Sequence, residues 1–258
     1  MSDPETQALD AYWRFFEGTN SRDSQKFTET LNFPHVRVSA RGWAGVVPDA
    51  RTHARNNSFE GLLAMGWDHT AGVEPEILHV APNKVHLVGG WTRYTKDDQP
   101  IISNRVTYIA TDVDGHWGMQ SRYGIDQHLD GPTPDPTASG ERGDTGFGAN
   151  ARNAENIVAE ALASAGTDNA ACSGHFHYPY LVIHPGRVQT FTDAAHLRCR
   201  LPERPVQLRC TRTLQAGPTG ATVAFEAKRS GRSLSGIYLV RIEGDDWRIK
   251  SGSFIESG

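Results

Sequence analysis

Apolar residues recur at intervals of three and four over residues 8–17 and again over 151–163, which predicts an amphipathic helix at each place. A polar break follows each of them, Arg22-Asp23 or Thr167-Asp168, and predicts a short second helix. Behind Pro34 and Pro179 the pattern switches to period two, the mark of a strand, where a leading proline costs no ladder hydrogen bond. About 15 residues within 48–66 read as a further helix in the first half, and the second half has lost most of it. Three long strands are predicted to close each half, in the first over 84–94, 102–113 and 117–125. Asp114-Gly115 marks the hairpin between the last two, and Glu243-Gly244 repeats it.

The halves are also similar in residues. LNFPHVRV at 31–38 matches FHYPYLVI at 176–183, and GHWGMQSRYGI at 115–125 matches DDWRIKSGSFI at 245–255, the latter at a spacing of 130. A period this long indicates duplicated domains rather than a solenoid. Between the copies, GPTPDPTASGERGDTGFGAN at 131–150 has almost no large apolar residue and reads as a polar linker. The expected domains are therefore 1–130 and 151–258. Helices first and antiparallel strands last is an α+β pattern, with helices packed on one face of a curved sheet.

Composition narrows the function classes. The chain has 258 residues, 38% hydrophobic and 22% charged, which places it among ordinary globular proteins and outside the disordered, collagen-like and membrane classes. No apolar run approaches the length of a membrane span and the start is polar and acidic, so a cytoplasmic location is expected. Three cysteines without a C-x-x-C spacing predict reduced, mostly buried thiols. With a net charge of -4 and neither half strongly basic, no nucleic-acid partner is expected. Five of six tryptophans and seven of eleven histidines fall in the first half, a bias that fits either a pocket there or a better-packed first core. Twenty-one Arg against 5 Lys suggests a GC-rich bacterial genome.

The opening helix, the proline-led strand, HTAGVEPEI before KVHLVGGWTRY, and DGHWGMQSRYGI resemble the SnoaL-like and nuclear-transport-factor-2-like superfamily, the fold of ketosteroid isomerase and scytalone dehydratase. The resemblance covers nearly all of 5–127 and, more weakly, 150–256. It implies two tandem cone-shaped α+β barrels forming an intramolecular pseudo-dimer, with room for further homodimerisation. It also implies a pocket at the mouth of the first cone, binding a small aromatic or polycyclic molecule. The function it implies is a cofactor-free lyase or isomerase working by general acid-base chemistry. The alternative is a non-catalytic small-molecule-binding or scaffolding pseudo-dimer.

In the dehydratase-like branch a histidine precedes a Pro-acidic-Ile, and His69 before Pro75-Glu76-Ile77 matches. The resemblance implies His69 as base, with Asp68 tuning it, since imidazole exchanges protons near neutral pH. Where that branch has tyrosine and aspartate in the first helix, this chain has Phe16 and Asn20, leaving Tyr12 as the nearest substitute donor. Period-two alternation puts Trp117, Met119, Ser121, Tyr123 and Ile125 on one face, which would carry Tyr123 into the cavity as a catalytic donor. The same rule puts Trp91 and Arg93 on one face, and Asn104 and Tyr108 on another strand, as substrate-binding groups beside Trp67, Phe16 and Asn20. An inward arginine needs a partner, a substrate carboxylate, Asp68 or Asp97. His35 and Arg37 share a face that is either pocket or reverse, and His53, Asn56 and Asn57 read as solvent or cavity-edge groups. His79, His86 and His116 lack metal-ligand spacing, and the H-x-H pair His175 and His177 lacks a third ligand, so no metal or cofactor is expected. The second copy, with no Trp-Asp-His stretch, reads as a built-in partner.

Overall fold

The computed structural model describes residues 3–39, 44–128, 147–244 and 246–257. The chain divides into two compact units, Met1–Arg142 with Pro185–Arg187, and Gly143–His184 with Val188–Gly258. Each is an α+β unit in which helices precede a mixed sheet. Most of the predicted linker, residues 131–146, lies outside the described residues; its last residues are already helical.

The first unit opens with α1 (Pro4–Asn20), longer than the periodicity predicts at both ends. The side chain of Asp3 accepts from the Thr6 backbone at 3.1 Å and Pro4 takes the first turn, where its missing N–H costs nothing. Asp23 caps α2 (Ser24–Thr28) in the same way. There follow β1 (Leu31–Ser39), β2 (Ala44–Val47), α3 (Ala50–Asn56), α4 (Glu60–Leu63), β3 (His69–Gly72), β4 (Glu76–Ala81), β5 (Lys84–Tyr94), β6 (Pro100–Val113) and β7 (His116–His128). The single helix predicted within 48–66 is two short helices, interrupted at 57–59. The sheet runs β2-β1-β7-β6-β5-β3, with β4 also on β5. Only the β1–β7 pairing is parallel.

The second unit repeats the order with α5 (Gly148–Ser164), α6 (Asn169–Gly174), β8 (Phe176–His184), β9 (Arg187–Phe191), α7 (Ala194–Arg198), β10 (Val206–Gly217), β11 (Gly220–Arg229), β12 (Arg232–Glu243) and β13 (Asp246–Ser257). Its sheet, β10-β11-β12-β13-β8-β9, is the first sheet read from the other edge, again with a parallel contact, β13 on β8. Four long strands close this copy rather than the predicted three.

Pro34 and Pro179 do not open their strands. Each sits inside, where the register to the neighbouring strand is broken: between Leu31 and Val36 opposite β7, and between Phe176 and Leu181 opposite β13. A residue without an N–H is tolerated where the ladder is already interrupted. A second irregularity matters more. Ala110 pairs with Met119 but Ile109 pairs with Ser121, so Gln120 is an extra residue in β7. Lys250 is the extra residue in β13, 130 positions on, because Val240 pairs with Ile249 and Leu239 with Ser251. A bulge of this kind inverts the facing of every side chain beyond it.

The inner face of the first sheet packs on α1. Val85, Leu87, Trp91, Val106, Tyr108, Ala110, Trp117 and Met119 meet Ala8, Ala11, Tyr12, Phe15 and Phe16 in one core. Rings dominate it: Tyr12 contacts Trp13, Phe16 and Tyr108 edge to face at centroid distances of 5.0, 5.0 and 5.2 Å. Gly89 is required beneath Tyr12, since a Cβ there would lie 2.3 Å from the Tyr12 hydroxyl oxygen. Of the three thiols Cys172 is buried as expected, whereas Cys199 and Cys210 are exposed because they fall just after α7 and on an outward position of β10. No helix among the described residues is long and apolar enough to cross a membrane.

Candidate functional site

Because of the bulge at Gln120, the residue of β7 that joins Trp117 and Met119 on the inner face is Arg122, not Tyr123. The register across four strands reads Leu87, Tyr108, Arg122, Arg37, one transverse row on the inner face. Tyr123 pairs with Thr107 and Val38 on the reverse face and is fully buried there. Its predicted entry into the first cavity is therefore corrected: unbroken alternation through β7 was the faulty step.

Three guanidiniums gather around this row. Arg37 is exposed at the end of it, Arg122 is half-buried with its guanidinium 5.6 Å from the Phe15 ring, and Arg93, also half-buried, lies 4.5 Å over the Trp91 ring. Burial, and then the neighbouring Arg37, pull Arg122 down to about 9 and Arg93 down to about 10, so both remain cations at neutral pH. Neither has an ion pair among the described residues. Among the described residues, three polar atoms on the same face lack a hydrogen-bond partner: Arg93 Nε, Tyr108 Oη and Asn104 Oδ1. Tyr108 is 0% exposed and Asn104 6%. Asn104 shares this face with Trp91, its register partner, and its amide Nδ2 donates to Gly124 O at 3.5 Å. Buried polar groups are nearly always satisfied, so three such atoms on one face single it out as a candidate site.

Two imidazoles adjoin the arginines. His35, two residues before Arg37, belongs to the inner face, which answers the question the sequence left open. Its Nδ1 faces Met119 O at 2.9 Å, and burial, followed by the Arg122 charge, lowers it to about 3. His53 on α3 lies 6.3 Å from the His35 ring and packs on Phe27 and Phe33; burial, then Arg122 and Arg37, lower it to about 4. The sequence reads His53 as a solvent or cavity-edge group and does not single out Arg122. The two matching bulges, 130 residues apart, carry no recognisable signal in either strand's alternation.

The residues singled out from the sequence divide into several places. Trp91, Arg93, Asn104 and Tyr108 come together on the inner face. Tyr12 is fully buried with its hydroxyl donating to Val73 O at 2.8 Å and close to Gly90 O at 3.2 Å, so its proton is committed, and burial raises its pKa far above the usual phenol value. Phe16 packs against Gly72. Asn20 ties α1 to β3 by two bonds to the Thr70 backbone, at 2.9 and 2.8 Å, in place of any exchange chemistry. Trp67 is buried, donates from Nε1 to Thr70 Oγ1 at 2.9 Å and stacks on Phe59.

His69 and Asp68 sit apart from the arginines. In the β3–β5 ladder Thr70 pairs with Arg93 and His69 with Tyr94, so His69 points to the reverse side of Arg93. Its ring stacks on Tyr94 at 5.2 Å, its Nδ1 lies 3.3 Å from Asp68, and 37% of the side chain is exposed. Asp68 also takes Arg22 at 2.8 Å, and the hydrogen bonds from His69 and Arg22 hold its carboxyl below the usual range. The expected trio of His69, Asp68 and Tyr123 is thus not assembled.

Two surface grooves, of about 410 and 430 Å³, lie elsewhere: one between α1 and the β6–β7 turn around Trp13, Arg14 and Trp117, the other in the equivalent place of the second unit around Ile157, His175 and Trp247. The arginine cluster lines neither. His175 and His177 have separate carboxylate neighbours, Glu160 at 3.8 Å and Glu243 at 2.9 Å. Among the described residues no group of three or more His, Cys, Asp or Glu side chains is placed to hold a metal.

The second unit supplies an internal comparison. Its row equivalent to Leu87, Tyr108, Arg122 and Arg37 reads Val223, Tyr238, Gly252 and Val182. The strand position of Gly89 is taken by Phe225, which stacks on Tyr238 at 5.2 Å, and Phe254 fills the adjacent space. The charges have gone and rings occupy the interior.

No family model matches the sequence, and no curated protein matches it. Among solved structures, the chain is similar to a protein of unknown function with a cystatin-like fold from Nostoc punctiforme, at 13% identity and TM-score 0.38 over 46% of this chain and 88% of that one. It is similar to the hexachlorocyclohexane dehydrochlorinase LinA-type3 from Novosphingobium barchaimii, at 16% identity and TM-score 0.39 over 48% of this chain and 87% of the other. A third match is an uncharacterised protein with a cystatin-like fold from Caulobacter vibrioides, at 16% identity and TM-score 0.36 over 48% and 89%.

Proposed function

We propose that the first unit binds a small organic oxyanion, a carboxylate or phosphate on an aromatic or otherwise apolar body, at the inner face around Arg122. One observation carries this reading: Arg93 and Arg122 are inward-facing cations without an ion pair among the described residues, beside the orphaned Tyr108 hydroxyl. Unpaired charge in a half-buried place is costly to keep, and the second unit shows that this fold dispenses with it, since Gly252 stands where Arg122 does. Guanidinium groups match oxyanions in shape and hydrogen-bonding, and the partly buried rings of Phe27 and Phe33 offer apolar surface for the rest of the ligand. Binding is favoured over acid-base turnover at His69 because His69 lies on the reverse face, exposed, with its neighbouring carboxylate already paired to Arg22.

The test is calorimetric titration of the full chain with benzoate and with phenyl phosphate at low ionic strength, which distinguishes the two headgroups. At least one should bind, with affinity lost in Arg122→Met and Arg93→Met. Absence of binding by both probes, or equal binding by wild type and both variants, would overturn the proposal.

A further inference from the structure

The inner face holds more acceptors than an oxyanion can use. Thr28 Oγ1 donates its single proton to Ser24 O at 2.7 Å, so in its 2.7 Å contact with His53 Nδ1 the ring nitrogen is the donor. His53 is thereby fixed as the Nδ1–H tautomer, with a bare lone pair on Nε2. His35 is fixed the same way, since its Nδ1 faces a carbonyl, Met119 O, which only accepts. Neither ring escapes this by protonation. Arg37 on β1 and Arg122 on β7 stand nearby, α2 presents the Thr28 hydroxyl and the Phe27 ring, and β1 adds Phe33, so among the described residues no carboxylate is seen to favour imidazolium. Asn104 contributes a further acceptor: with its Nδ2 turned to Gly124 O, its Oδ1 is buried and unanswered.

An oxyanion satisfies guanidiniums and leaves these acceptors as they were. We infer that the ligand of this face carries, besides its oxyanion, a hydrogen-bond donor such as a hydroxyl or amine, received by His53 Nε2 or Asn104 Oδ1. The inference rests on the oxyanion reading and specifies its substrate class: a hydroxylated or aminated aromatic acid rather than a plain one. A site built to accept from a ligand hydroxyl discriminates strongly against the analogue lacking it, because the buried acceptor is left unpaired.

The experiment compares benzoate with 2-, 3- and 4-hydroxybenzoate by calorimetry on the full chain, in wild type, His53→Phe and Asn104→Leu. At least one isomer should bind about tenfold or more tightly than benzoate. In whichever variant removes the acceptor, the ratio of that isomer's affinity to benzoate's should fall to within about threefold of one. Because the readout is a ratio within each protein, a general weakening of either variant does not mimic the result, and the two substitutions lie on different elements, so one misfolded variant leaves the other. No gain for any isomer, or a gain that survives both substitutions, overturns the inference while leaving oxyanion binding intact. Failure of benzoate and all three isomers alike, together with phenyl phosphate, overturns the oxyanion reading itself.

Discussion

Replacing Arg122 by methionine should raise the stability of the first unit and abolish anion binding. The guanidinium is held down to about 9, first by burial and then by Arg37, with Arg93 adding to it. Against free arginine, and at ~1.4 kcal/mol per pH unit, that corresponds to a ceiling of ~5 kcal/mol. Arg122 is half-buried rather than sealed, so water screens part of the cost, and exchange of an unpaired inward charge for an apolar chain of similar length should return ~1–3 kcal/mol. Methionine fits because it is long, flexible and able to lie against Phe15 as the guanidinium does. The assay is urea denaturation followed by tryptophan fluorescence, for which Trp13, Trp67, Trp91 and Trp117 report on the first unit. A gain in stability coupled to lost binding is the behaviour of a residue retained for a ligand. A loss of ~1 kcal/mol or more in Arg122→Met would refute the reasoning, because it would mean that the guanidinium serves an internal partner.

Three further outcomes are expected. His35 is 3% exposed and held at about 3 by burial and by Arg122, so the folded state takes up its proton far later than the unfolded chain does on acidification. Its stabilisation is complete above about pH 6.5 and declines below it, by ~2 kcal/mol between pH 7 and pH 5; His35→Asn, which does not titrate, should lack that part of the slope in parallel denaturation curves, and identical slopes would count against it. Gly89→Ala places a Cβ 2.3 Å from the Tyr12 hydroxyl, whose ring is held by Trp13, Phe16 and Tyr108, so it should cost ~1–3 kcal/mol in the same assay, whereas Gly61→Ala, with nothing nearby, should be neutral within about 0.5 kcal/mol. Asn20→Leu removes both bonds to Thr70 and leaves a buried N–H and C=O unanswered, so hydrogen exchange at β3 should speed up with a loss of ~2–3 kcal/mol, and unchanged protection there would show that α1 holds β3 by other means.

Much of the fold was legible because it rests on local pattern. Helix starts at Asp23 and Asp168, the Asp114-Gly115 hairpin and the alternation along β5 are each set by a few neighbouring residues, and the structure has them as read. The common facing of Trp91 with Arg93 and of Asn104 with Tyr108 was legible for the same reason, since β5 and β6 pair without interruption between Lys84 and Arg93. His69 attracted attention through its neighbours in sequence. Its exposure, its stack on Tyr94 and its position across the sheet from Arg93 follow from strand pairing, which sequence spacing does not contain.

The sequence by itself determined that the chain is two copies of one helices-then-strands plan, and that the first copy kept its large aromatic and titratable residues. Tertiary structure alone decided which of them meet. One extra residue at Gln120 turns Arg122 inward and Tyr123 outward, a difference that alternation cannot register because both facings satisfy the same strand pattern. The Thr28 hydroxyl fixes the His53 tautomer through a bond to Ser24 O, and three arginines from β1, β5 and β7 come to one face only when those strands lie in register. Side-chain facing in a sheet is cumulative along the ladder, so the one residue inserted at Gln120 decides that Arg122 rather than Tyr123 joins the inner face.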